Sequence, residues 1–287
     1  MEFRTVVSPL AGSGLVIDHA CECLLLGSCF SDEVGRRLQR DGFRVTVNPG
    51  GALYNPLSLQ AWMERMASQV PFAEGEFVEG PDGRFHSWMH STAFSRASLA
   101  EAVEAAQCSL REGAEALRRA AVVFLTLGST RVFRLRAEGG RVVTNCHKHH
   151  PAEFAEERLS LDDTVAALRA TVSAIAAVNP AAKVVWTVSP VRHPGQGGLH
   201  ANMLSKATLL LAADAVGGIY FPAFEALNDD LRDYRFYAAD MRHPSEVGAD
   251  YVYELLCRSF MSDATRARAL ECRRESLRRA HISLHCK

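Results

Sequence analysis

At 287 residues, with 48% hydrophobic and 23% charged side chains, the chain has a globular composition and enough length to bury about three quarters of the surface it exposes when unfolded. Its 32 lysines and arginines against 33 aspartates and glutamates leave a formal net charge of -1, so no global field draws it to a polyanion and a nucleic-acid partner is disfavoured. No apolar run approaches the roughly 18 residues of a membrane-spanning helix, which excludes a helical span.

The first twenty residues carry Glu2 and no continuous apolar stretch, so they do not read as a secretory leader. Eight cysteines without such a leader imply reduced thiols and a cytoplasmic setting. The first predicted strand is Cys23-Leu-Leu-Leu-Gly27, and a helix opens almost at once with Ser31, Asp32 and Glu33 in its first turn. A second short apolar run covers residues 43–47. Residues 77–94, with the turn Gly80-Pro-Asp-Gly83, resemble a hairpin. Its segment 84–90 is rich in aromatic and imidazole groups. A packed hairpin is expected there; a lid is the alternative, in which case Trp88 and His90 would touch substrate.

Ser98-Leu-Ala-Glu101 has capping-box spacing and opens a helix with Leu99, Val103, Leu110 and Leu117 on one face. A strand at 122–128 and a second hairpin at 131–143 follow. Ser160-Leu-Asp-Asp163 opens another helix, which carries Val165, Leu168, Val172 and Ile175 and stops at Asn179-Pro180. Further strands are expected at 183–190 and 219–222, and a helix after Ser245. Fully apolar strands alternating with helices predict an α/β fold: a doubly wound, mainly parallel sheet flanked by helices in three layers, with hairpin insertions and ligands beyond the carboxyl ends of the strands. Residues 1–261 read as a single domain, and 262–287 as a basic amphipathic helix and tail with Ala267, Leu270 and Leu277 as its contacts.

Two local patterns carry chemistry. Cys29 follows the first strand at a strand-turn-helix junction, where a side chain stands beside backbone N–H groups able to hold an oxyanion, so it is the natural nucleophile; a small buried hydrophobe is the bland alternative. Asp240-Met-Arg-His243 lets a carboxylate orient an imidazole from the same loop, making His243 a base and Asp240 its partner. Cys146, His147, His149 and His150 invite a zinc reading, but no second ligand pair elsewhere completes a four-ligand set, so no metal and no cofactor are expected. Arg192 and His193, after the strand at 183–190, are placed to bind an anionic substrate group; an ion pair of that region with Asp230 or Asp233 is the alternative.

Over most of its length, from about residue 8 to about residue 257, the chain resembles the GSCFA family, an SGNH-hydrolase-like group. The resemblance rests on GSCFS at 27–31, NPGGALYNP at 48–56, LTLGST at 125–130, NCHK at 145–148 and TVSPVRH at 187–193. It continues through Asn202, Ser205-Lys-Ala207, YFPAFE at 220–225 and LRDYRFYAADMRHPS at 231–245. The family's fifth motif letter is usually Ala, where this chain has Ser31. The resemblance implies an SGNH-like, flavodoxin-like three-layer sandwich. SGNH enzymes carry the nucleophile after Gly-Asp at the end of the first strand, which lays Cys29 on that position with Ser28 in place of the Asp; the competing assignment makes Ser28 the nucleophile. The second block implies an oxyanion donor at Gly51, or else Gly50. The third block, normally Gly-x-Asn, is Gly128-Ser-Thr130 here, so the Thr130 hydroxyl or the Asn145 amide would have to substitute, unless both serve as caps or turns. His147 and Lys148 would line the pocket, with hydrogen bonding to a nearby loop as the alternative. The function implied is acyl transfer by an esterase, O-acyl hydrolase or acyltransferase acting on a small-molecule or glycan ester, with an acyl donor in the transferase case. A non-catalytic small-molecule or glycan binding module on the same fold is the competing class.

Overall fold

The computed structural model describes residues 5–10 and 13–285, with side chains as far as 279; residues 1–4, 11–12 and 286–287, part of the N-terminal stretch and the tail read above, lie outside it. In chain order the elements are β1 (Glu22–Gly27), α1 (Cys29–Arg40), β2 (Arg44–Val47), α2 (Pro56–Ser68), β3 (Phe77–Glu79), β4 (Phe85–Ser87), α3 (Leu99–Arg119), β5 (Val122–Leu127), β6 (Arg131–Leu135), β7 (Val142–Val143), β8 (Phe154–Arg158), α4 (Leu161–Val178), β9 (Lys183–Val188), α5 (Gly198–Val216), β10 (Ile219–Tyr220), the short α6 (Ala223–Glu225), α7 (Glu246–Phe260) and α8 (Asp263–His285).

Five strands form the central sheet in the order β10-β9-β5-β1-β2, every neighbouring pair parallel. The period-2 alternation of a strand divides its side chains between two helical layers. Leu24 and Leu26 of β1 enter the core shared with α2, α3, α4 and α5, whereas Cys23 and Leu25 enter the one shared with α1, α7 and Ala269 of α8. The strand order reverses between β1 and β5, so the crevice at their carboxyl ends is the topological switch point. Cys29 follows one of these strands and Gly128 the other.

The two expected hairpins are present as β3–β4 and β6–β7, both antiparallel. β8, which the sequence pattern did not signal, pairs with the other edge of β6. Its residues FAEER are buried only at Phe154, so they lack the apolar run of the central strands. Trp88, Leu135, Val143 and Phe154 form a small separate core between the two insertions. Trp88 and His90 are both buried, which makes the 84–90 segment a packed hairpin and overturns the lid. His90 Nε2 lies 2.9 Å from Ser109 Oγ, and its ring packs against those of Trp62 and Phe72.

Two ion-pair clusters fasten the helices that bear the site. Fully buried Arg37 of α1 meets Glu33, Glu246 and Asp250, each at 2.7 Å, and so ties α1 to the start of α7. Arg273 of α8 donates to Asp41 at 2.6 Å, while Tyr253 donates to the same carboxylate at 2.9 Å. The face that α8 turns inward runs through Thr265 and Ala269 to Arg273; Ala267, Leu270 and Leu277, the contacts expected from sequence, are exposed. No helix among the described residues is long and apolar enough to cross a membrane.

Candidate active site

β1 ends in Gly27 at a φ of 129°, where a Cβ would stand 2.1 Å from the Thr126 carbonyl oxygen of β5, so a side chain is excluded by backbone on both counts. The Gly27 N–H donates to Asn48 Oδ1 at 2.9 Å, and Asn48 Nδ2 donates to Asp32 Oδ1 at 2.9 Å. Asn48 thereby ties the loop after β2 to both sides of the β1–α1 turn. Ser28 is the N-cap of α1: its hydroxyl accepts the Phe30 N–H at 3.3 Å, and the residue is completely buried. That engagement gives Ser28 a helix-capping part.

Cys29 is the first residue of α1 and is only partly buried. Its Sγ lies 3.4 Å from Nε2 of His243, within hydrogen-bond range for sulfur. On the other side of the ring, Nδ1 of His243 lies 2.6 Å from Asp240 Oδ2, while Asp240 Oδ1 accepts the N–H groups of Arg242 at 2.9 Å and His243 at 3.0 Å. Donation of Nδ1–H to the carboxylate leaves Nε2 free to accept a proton from the thiol. The loop is held at both ends: the Ala238 N–H donates to the His243 carbonyl at 2.8 Å, and the Arg192 N–H donates to the Arg242 carbonyl at 3.0 Å. Cys29, His243 and Asp240 are thus brought together from opposite ends of the chain.

The oxyanion residues expected from the resemblance are arranged differently. The Gly51 N–H donates to the Asn48 carbonyl at 2.7 Å within its own turn, and is spent there. Gly50 packs on Trp62, and its carbonyl accepts the Ser91 N–H at 3.2 Å. Neither the Gly50 nor the Cys29 N–H donates to a backbone carbonyl in the turns and loops of the described residues; the Cys29 N–H, at a helix start, faces its own thiol. Thr130 is fully buried: its N–H and hydroxyl lie 2.7 and 3.0 Å from Ser205 Oγ, so its side chain faces α5. Asn145 uses its side-chain oxygen to accept the His147 N–H at 2.8 Å, the cap-like alternative.

The NCHK loop packs on the β3–β4 hairpin. His147 is buried with Nε2 2.9 Å from the Ser87 carbonyl and its ring stacked on His86, so it bonds a neighbouring loop where pocket lining was expected. Lys148 beside it is exposed, and both residues have positive φ. His149 pairs with Glu153, and His150 accepts the Ala152 N–H; no three His, Cys, Asp or Glu side chains among the described residues are grouped to hold a metal ion. Arg192 stacks over Tyr237 at 4.0 Å and Tyr234 at 5.1 Å, a cation–π contact where an anion site or an ion pair was expected. His193 donates its N–H to Asn202 at 2.8 Å and meets Tyr54 edge-on at 5.4 Å, and its buried Nε2 has no hydrogen-bond partner among the described residues.

Burial pushes the Cys29 thiol up to about 11, with Asp32 adding to the rise and Lys206 opposing it. Asp32 itself is raised by burial. Burial also drives His193 down to about 3, with Lys206 and His243 contributing, so its ring is neutral. The hydrogen bond from His243 holds Asp240 well below the ordinary carboxylate range. A thiol raised in this way stays protonated at neutral pH, with Nε2 of His243 within hydrogen-bond range. Sequence reasoning passed over three residues of this neighbourhood: Asn48, Tyr54 and Lys206. Asn48 and Tyr54 lie inside the NPGGALYNP motif, and Lys206 stands out as the one charge in the stretch 203–213.

The GSCFA family model matches residues 22–255 of the chain. No curated protein matches it. Among solved structures it is similar to an acetylxylan esterase from Geobacillus stearothermophilus, at 12% identity and a TM-score of 0.44, covering 85% of this chain and 95% of that one. A carbohydrate esterase family 3 structure from Talaromyces cellulolyticus gives 8% identity and a TM-score of 0.38, over 82% and 94% of the two chains. For a psychrotrophic esterase from Pseudoalteromonas sp. the values are 9% and 0.40, over 83% and 95%.

Proposed function

The chain belongs to the GSCFA family, and we propose that it is an SGNH-like acyl-transfer enzyme acting on ester bonds through a cysteine nucleophile. The observation that carries this reading is the Cys29–His243–Asp240 relay, 3.4 Å and 2.6 Å long at its two links. In the forward step, Nε2 of His243 takes the thiol proton, Sγ bonds to the ester carbonyl carbon, and the carbonyl electron pair moves to oxygen. The N–H of Cys29, at the helix start, is the donor proposed for that oxyanion, with the Gly50 N–H as a second. As the tetrahedral intermediate collapses, the C–O bond breaks and the leaving oxygen takes the proton from His243, leaving a thioester. Water or another hydroxyl, deprotonated by His243, then attacks the thioester and returns the thiol.

The proposed substrate is an O-acyl ester of a small molecule or glycan, with Tyr54 and His193 offering an aromatic edge beside the nucleophile; if the second step uses a hydroxyl other than water, the first ester is the acyl donor. A reducing, cytoplasmic setting suits such a thiol. Intact-mass spectrometry after incubation with an activated acetyl ester tests the scheme on wild type, Cys29→Ala, Ser28→Ala and His243→Ala. The expected result is an acetyl adduct lost with Cys29 or His243 and kept with Ser28→Ala. Loss of the adduct only in Ser28→Ala moves the nucleophile, and no adduct with any ester supports the binding-module alternative, which the inward turn of Thr130 favours.

A further inference from the structure

α5 turns three polar or charged positions in its inner face toward the loops that follow two central strands. Asn202 accepts from His193 after β9, Ser205 meets Thr130 after β5, and Lys206 reaches both loops, donating to the Gly128 carbonyl at 2.6 Å and the Ser189 carbonyl at 2.7 Å. Lys206 is 1% exposed. Gly128 packs directly behind the nucleophile's turn: a Cβ on it would stand 3.2 Å from Ser28 Cβ and 2.8 Å from the Tyr54 carbonyl oxygen. An ammonium sealed from water is costly to bury, and two neutral carbonyls recover only part of that cost. A methionine would fill the space, and a glutamine would bridge the loops without a charge. The presence of a cation at this spot therefore calls for an anion that appears nearby.

We propose that Lys206 is a positioning residue for Cys29: it clamps the carbonyls behind the site and supplies the positive charge against which the thiol ionises. This rests on the acyl-transfer reading above. The groups around the pair act in both directions. Asp32 and Glu33 of α1 oppose a thiolate, Lys206 of α5 favours it, and His193 and Tyr54 stay neutral near pH 7. His243 receives the proton. Burial drives Lys206 down to about 7 and Cys29 raises it, so the two charges support one another. Lys206 exchanges no proton with the substrate in the proposed cycle.

The test is the pH dependence of Cys29 alkylation by iodoacetamide, read by peptide mass, in wild type, Lys206→Met and Lys206→Gln. The ionisation that governs labelling should rise by roughly one pH unit, cutting the rate at pH 7 about tenfold. A merely structural lysine would lower the unfolding temperature and leave the labelling profile in place, and a folded variant with an unmoved profile overturns the proposal. Labelling needs no turnover, so it stands apart from the acyl adduct, whose absence in wild type would fail the function without touching this measurement. If neither variant folds, the coupling is read from its other end. By reciprocity, Cys29→Asp should raise the ionisation of Lys206, followed by lysine 13Cε resonance, by about one pH unit relative to Cys29→Asn. Equal values overturn the proposal.

Discussion

Acidification should unfold this protein through three histidines buried in the neutral form. Burial pushes His90 and His193 down to about 3 and His147 down to about 4, each from an ordinary value of 6.5. In the unfolded chain these rings protonate as pH falls through about 6.5; in the folded protein they do not until pH 4 or below. Because the unfolded state then binds more protons, stability rises with pH across this window and is lost as pH falls from about 6.5 toward 4. Each fully mismatched ring contributes about 1.4 kcal/mol per pH unit, so the three together reach on the order of 4 kcal/mol per unit near pH 5. Against a total stability of roughly 5–15 kcal/mol, two units of acidification remove most of the fold. Urea unfolding at pH 7.5, 6.5, 5.5 and 4.5 measures the slope. His90→Phe should remove about a third of it, since Ser109 keeps a partner in the Ala106 carbonyl. A midpoint that stays flat between pH 7 and 5 would refute the reasoning.

Gly27→Ala drives a methyl into the Thr126 carbonyl at a backbone angle hostile to L residues, and should cost about 3 kcal/mol or more in urea unfolding. Ser28→Ala removes a helix cap worth about 1 kcal/mol yet should leave acyl-adduct formation intact. Asp240→Asn, which disturbs the hydrogen bond that fixes the imidazole, should lower the acylation rate by roughly two to four orders of magnitude with little change in unfolding midpoint, measured by stopped-flow release of an activated leaving group. Arg37→Met strips three carboxylates of a buried partner and should destabilise by roughly 2–4 kcal/mol, read by thermal unfolding.

The central sheet was legible because its strands are buried on both faces: continuous apolar runs such as residues 122–127 have no other use in a globular chain. The relay was legible because its parts are local, a cysteine at a strand-helix turn and a carboxylate three residues before a histidine. Orientation was not. Whether the Thr130 hydroxyl faces a pocket or Ser205 depends on a helix 75 residues further on, and the sequence around residue 130 carries no mark of it. The Gly51 amide is lost to a turn closed by Asn48, whose positive φ is likewise a tertiary outcome. In α8, leucines at 270 and 277 suggested the inner face, yet Ala269 and Arg273 hold it because the helix docks through the buried carboxylate of Asp41.

The two halves of the relay are separated by 214 positions in the chain. During synthesis the thiol leaves the ribosome long before the imidazole that would activate it, and it waits at the head of α1 as an ordinary protonated cysteine. Only when the chain has run as far as α7, whose Glu246 and Asp250 meet Arg37, can the loop carrying His243 be held beside it. The contact between thiol and imidazole is therefore among the last this molecule can make. On the proposed acyl-transfer reading, a truncated or stalled chain would carry Cys29 in a dormant form.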